Sequence, residues 1–135
     1  MAMLTDAQQK QARQPESFPD VAEDTPALEA GEPVGLRAGD MTEEQRALVW
    51  QLLAAYCNRL SPAVAALELK RVQEADIKAV RFAFSRHDGK PGRPYTFRLH
   101  SPAAVAEFLN EQRDGSGNPA NHIHTCWRRL PQDFA

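Results

Sequence analysis

Beyond Asp76 the chain changes period, and no other feature constrains its fold as strongly. From Ile77 to His87 apolar and polar residues alternate: Val80, Phe82 and Phe84 point one way, Arg81, Ala83, Ser85 and His87 the other. Alternation of this kind belongs to a β-strand with one buried face. Asp88-Gly89-Lys90-Pro91-Gly92 is a turn-rich connection. A second strand is expected from about Pro94 to His100, with Tyr95, Phe97 and Leu99 opposite Thr96, Arg98 and His100. A last strand runs from Asn121 to Arg129. His122, His124, Cys126 and Arg128 share one of its faces, and Asn121, Ile123, Thr125 and Trp127 the other.

Before Asp76 the period is helical. Thr42 and Gln45 make a capping box, and Glu43 and Glu44 suit the positive end of the helix dipole. Leu48, Val49, Leu52, Leu53 and Tyr56 then form a stripe, and the helix should stop near Asn58. Ser61-Pro62 starts the next helix, with Val64, Leu67 and Val72 on one side, fading at Glu74 or Ala75. Residues 15–40 are rich in Pro, Glu and Ala, with six acidic residues from Glu16 to Glu32. They read as an extended arm. Ahead of it, Leu4 to Arg13 suits a short helix with a capping box at Thr5 and Gln8, marginal by itself because it is almost wholly polar.

The segment Pro102 to Gln112 is ambiguous. Ser101-Pro102-Ala103-Ala104 resembles a capped helix start; the same stretch could be a strand whose propensity its neighbours override. Glu107 follows that choice. In a helix it is ordinary surface, whereas in a strand it faces with Val105 and Leu109 and must be paired or functional.

If the three alternating segments form one antiparallel sheet with apolar faces aligned, their polar faces align too. Ser85, His87, Arg98, His100, His122, His124, Cys126 and Arg128 would then share a surface. Two histidines at i and i+2 stand about 6–7 Å apart at Cα. Neutral imidazole suits Zn, Cu or Fe. His122 and His124 are thus candidate metal ligands, with His100 as the third and Glu107 as an accompanying carboxylate. The plainer alternatives are a solvated histidine pair, cross-strand ion pairs for Arg98 and Arg128, and Cys126 as a small filler.

Charge and cysteine content narrow the classes. Sixteen basic against eighteen acidic residues argue against bulk attraction to nucleic acid. Two cysteines make neither a disulfide framework nor a zinc ribbon, so a reduced, cytoplasmic setting is expected. The N-terminus lacks the basic-then-apolar pattern of a secretory leader, and no run suits a membrane span.

Several segments together resemble a known family: Tyr95-Thr96-Phe97-Arg98-Leu99-His100-Ser101-Pro102, Glu107-Phe108, Asn121-His122-Ile123-His124-Thr125, Arg128 and Asp133-Phe134. They look like the C-terminal region of the DUF3500 family, and Gly35-Leu36 with the helix from Met41-Thr42 resembles its lead-in. The likeness covers residues 35–135. It implies that His100, Glu107, His122, His124 and Arg128 occupy the family's polar motif positions, that 102–109 is a strand, and that the histidines share a metal site. The chain departs from the family pattern at Leu109 and Ala135 and is shorter than typical members. It therefore resembles a short relative or one part of a split protein.

The reading is an α+β fold: an antiparallel sheet of three to four strands (about 77–129) packed against two helices (about 42–58 and 62–75). Residues 1–38 form a short helix and extended arm, and 39–135 a single domain. Function is expected to be metal binding or a metal-dependent reaction. His100, His122 and His124 would be ligands to a divalent transition metal, Glu107 a ligand or general base, and Arg128 an anchor for a small anionic substrate. The alternative is a non-catalytic partner subunit, forming a homo-oligomer or gripping a protein partner through residues 1–40. Nucleic-acid binding ranks last, because the aromatics face the core.

Overall fold

A computed structural model describes residues 3–19, 30–85 and 93–131. It contains three α-helices, α1 (Asp6–Ala12), α2 (Glu43–Cys57) and α3 (Pro62–Glu74). Five strands follow the chain: β1 (Leu36–Arg37), β2 (Arg81–Ser85), β3 (Tyr95–His100), β4 (Ala104–Gln112) and β5 (His122–Arg129). They form one antiparallel sheet in the order β1-β2-β3-β4-β5. The α+β class is as expected, but the sheet has five strands rather than three to four, and three helices accompany it. His87 and Asp133-Phe134 lie outside the described residues.

The segment from Ala104 is a strand. Ser101-Pro102 serves a turn instead of a helix start: Ser101 N–H donates to the Ala104 carbonyl at 2.9 Å, and Ser101 Oγ accepts from Ala104 N–H at 2.8 Å. Serine followed by proline suits the opening of a β-turn as well as a helix cap. What decides is the tertiary setting, since β4 lies in mid-sheet and pairs on both sides.

One sheet face carries the core. Leu99, Ala104, Ala106 and Phe84 meet Val49, Leu53, Tyr56 and Val72 of the helices. Both helices are rotated from the expected stripes. In α2 the buried residues are Gln45, Val49, Leu53, Tyr56 and Cys57, leaving Leu48 and Leu52 partly exposed. In α3 they are Ala65, Glu68 and Val72, and Leu67 is 59 % exposed. Glu68 fixes the turn of α3: its carboxylate accepts from Trp127 Nε1 at 2.9 Å and from Arg129 Nε at 2.8 Å, both on β5. Hydrogen-bonded charge thus takes an inward position that apolar periodicity would give to Leu67.

The N-terminal segment joins the same core. Ala12 and Leu36 are fully buried. Arg13 bridges to Phe84, and Gln14 N–H donates to the Phe84 carbonyl at 2.8 Å, so two short pieces of chain cover the outer edge of β2. Gly35 makes the entry to β1 feasible. Its φ is +96°, and a Cβ there would lie 2.3 Å from the Phe82 carbonyl oxygen.

Candidate functional site

The register builds the polar face as three cross-strand rows. One row is Ser85-Thr96-Leu109-His124, the next Ala83-Arg98-Glu107-Cys126, and the third Arg81-His100-Val105-Arg128. Alternation places these residues on one face; pairing alone fixes who sits beside whom.

The middle row holds the densest chemistry. Arg98 Nε and Nη2 lie 2.6 and 2.5 Å from Glu107 Oε1, and Cys126 Sγ donates to Glu107 Oε2 at 3.3 Å. Glu107 is 2 % exposed. From the opposite face Tyr56 O–H donates to the Glu107 carbonyl at 2.7 Å. Both carboxylate oxygens are therefore engaged inside the protein, which suits Glu107 to structure better than to metal ligation or proton transfer. Cys126 is equally settled. Burial, and then the Glu107 charge, push its thiol up to about 12, so the nucleophilic thiolate is suppressed.

The arm covers this row. Phe18 lies beneath the Arg98 guanidinium, 4.3 Å from ring centroid to Cζ, and Arg98 Nη1 donates to the Ala30 carbonyl at 3.0 Å. Ser17 bonds to Glu111 and lies 3.2 Å from Ser85 Oγ, which itself bonds Thr96 at 2.8 Å. Sequence reasoning missed Phe18 and Ser17. Phe18 left one mark: it is the sole aromatic before Trp50.

The expected three-histidine centre does not assemble. His122 and His124 come together, with ring centroids 4.8 Å apart at an interplanar angle of 65°. A bulge in β4 between Asn110 and Gln112 sets His122 opposite Gln112. His100 lies two strands away and four residues along, which is roughly 16 Å at Cα from His124 at ordinary strand spacings. Arg128 is likewise about 13 Å along β5 from His124. Among the described residues no three His, Cys, Asp or Glu side chains are grouped to hold a metal ion.

His100 has surroundings of its own. It is 6 % exposed, and its Nδ1 is buried without a hydrogen-bond partner among the described residues. Burial first, and then the Arg98 charge, lower its pKa, against an opposing pull from Glu32. Among the described residues no helix is long and apolar enough to cross a membrane.

Comparison with known proteins gives one match. A family model described as "Protein of unknown function (DUF3500)" matches residues 1–135, extending through the arm as well as the sheet. No curated protein and no solved structure matches the chain.

Proposed function

The chain belongs to the DUF3500 family, and since that family's description assigns no activity we propose a function from the site: the protein binds one divalent transition metal between His122 and His124. The observation that carries this is the 4.8 Å separation of the two rings. With metal–nitrogen bonds of about 2.1 Å, each ring centre would sit roughly 3.2 Å from a shared ion, and the two would subtend roughly 95° there. That angle is nearer to square or octahedral arrangements than to a tetrahedron. Imidazole donors and the usual affinity order then make Cu²⁺ the first ion to test, ahead of Zn²⁺ and Fe²⁺.

Two protein ligands leave positions for water or a small ligand. The engagement of Glu107 with Arg98 and Cys126 favours binding over a reaction that uses Glu107 as base. The test is a Cu²⁺ titration followed by electron paramagnetic resonance and calorimetry. One equivalent is expected with two nitrogen ligands, lost in the His122→Ala/His124→Ala variant and kept in His100→Gln. Unchanged binding in the double variant would overturn the proposal.

A second reading, an interaction module, is favoured by the apolar residues left exposed on α2, α3 and the turn between them: Leu48, Leu52, Leu60, Val64 and Leu67. A second copy of the chain is the simplest partner, since one patch can pair with itself about a two-fold axis. Mass in solution should then exceed one chain and fall to one chain in Leu67→Glu. A wild-type monomer at high concentration would remove this reading.

A further inference from the structure

We propose that a second copy of the chain completes the His122–His124 site: two β5 strands meet edge to edge about a two-fold axis through Ile123, and four imidazoles share one divalent transition ion. The pairing rests on the metal-binding reading of the two histidines and adds the partner that fills their open positions.

The place of β5 in the sheet makes the approach feasible. It is last in strand order, so no described strand pairs with its outer edge. The opposite side of the sheet is closed, since Arg13 and Gln14 meet Phe84 there. Edge strands are commonly blunted by Pro, Lys or a bulge of their own. β5 has neither Pro nor Lys, its two arginines stand at its far end, and the bulge lies in β4. Leu130 N–H reaches inward to the Ala103 carbonyl, so by alternation the N–H and C=O of Ile123, an odd number of residues earlier, point outward. Asn121 N–H turns back to the Gln112 carbonyl, which ends the regular edge just before His122. His122 and Ile123 are both exposed, Ile123 by 51 %.

An axis through Ile123 gives the one antiparallel register that sets His122 opposite the partner's His124, and His124 opposite the partner's His122. The four rings then rise from one sheet face, about 5 Å apart at Cα across the strands and about 6–7 Å along them. On the other face Ile123 meets the partner's Ile123. Within one chain the two rings subtend roughly 95° at a shared ion. That is close to the angle between neighbouring ligands of a square, and a second pair fills the square. Tetragonal nitrogen coordination suits Cu²⁺. The chain itself offers no substitute, because among the described residues no third His, Cys, Asp or Glu joins the pair. Pairing over a few residues either side of Ile123 covers far less than the about 1,200 Å² of a stable interface. The ion therefore holds the two copies together, and the metal-free chains stay apart at this edge.

The probe is Cu²⁺ added stepwise to the full chain. Sedimentation follows mass, and electron paramagnetic resonance reports the bound nitrogens. While copper is scarce two chains share each ion, so mass is expected to peak at half an equivalent with a four-nitrogen spectrum. Excess copper gives each chain its own ion, returning mass to its metal-free value and the spectrum to two nitrogens. Ile123→Lys, at an exposed position off the ligand face, brings like charges together at the axis. It should still bind copper through two nitrogens and lose the peak in mass. A constant mass and two nitrogens at half an equivalent would overturn the sharing while leaving the two-histidine site standing. A peak unchanged in Ile123→Lys would overturn the pairing through Ile123. Copper bound equally by His122→Ala/His124→Ala would remove the site itself, and the proposal with it.

Discussion

Arg98 and Glu107 face each other across β3 and β4, and two nitrogens of the guanidinium converge on a single carboxylate oxygen at 2.6 and 2.5 Å. The other oxygen is left for the Cys126 thiol. Opposite charges this buried gain from each other mainly what they lost on leaving water. The pair thus specifies an arrangement, joining three strands and the arm through Phe18 and Ala30.

Removing one partner should be far worse than removing both. Glu107→Gln and Arg98→Met are each expected to cost about 3 kcal/mol, because the remaining group stays buried without its counter-charge. The double variant Arg98→Met/Glu107→Leu should recover most of that loss. Urea unfolding of the three proteins measures it. Singles that cost no more than the double would show that the pair is well solvated. Copper binding at His122 and His124 should be indifferent to Glu107→Gln.

Gln8 and Gln45 offer a second test. Each closes the capping box of its own helix, and each amide donates to the other's carbonyl, at 3.0 and 2.9 Å. The likeness of Leu4-Thr5-Asp6 to Met41-Thr42-Glu43 in the sequence thus becomes a contact between two helix starts. A seven-residue helix has little stability of its own, so α1 depends on this joint and on buried Ala12. Gln45→Ala is expected to cost about 1–2 kcal/mol and to speed amide exchange in Asp6–Ala12 more than in α3. A double-mutant cycle with Gln8→Ala should show coupling of at least about 0.5 kcal/mol. Full additivity would mean the two caps act separately.

These contacts mark how far sequence carries. The capping boxes, the two long helices and the shared polar face follow from local chemistry, and Thr5, Thr42 and the alternation of Phe82, Phe97 and Trp127 are enough to read them. Strand register is different. It depends on turn geometry and on the bulge at Glu111, which no alternation encodes, so His100 and His124 share a face without sharing a site. β1 spans two residues and has no periodicity to detect. Leu67 and Glu68 exchange their expected sides because Trp127 and Arg129, sixty residues away, supply the bonds that Glu68 needs.

Glu68 makes stability depend on acid in a defined way. Burial would raise its pKa, but hydrogen bonds from Arg129 and Trp127 and the charges of Arg129 and Arg71 outweigh it, leaving the folded value below the ordinary 4.5. A depressed carboxyl contributes fully above its unfolded pKa and loses that contribution as pH falls through the folded one. The stability gap between wild type and Glu68→Gln should therefore be constant from neutral pH to about 5 and shrink below about 4. Thermal unfolding across that range measures it. A gap that widens toward acid would reverse the sign and show that burial dominates.

The two cysteines should be unreactive for related reasons and distinguishable by one substitution. Burial, and then the nearby Glu68 charge, raise Cys57 to about 11; burial, and then Glu107, raise Cys126 to about 12. At pH 8 the thiolate fraction of Cys126 is then roughly a thousandfold below that of an ordinary thiol, since each pKa unit is a factor of ten. Iodoacetamide should label the native protein slowly, Cys126 through its small folded-state thiolate fraction, with both sites reacting promptly in urea. Glu107→Gln lowers global stability, which accelerates both cysteines together, but it also removes the charge that holds the Cys126 proton. The ratio of Cys126 to Cys57 label, read by mass spectrometry of peptides, should therefore rise in Glu107→Gln and stay unchanged in a variant such as Gln45→Ala that only destabilises. A ratio that moves equally in both would mean that opening, and not the Glu107–Cys126 contact, sets the reactivity.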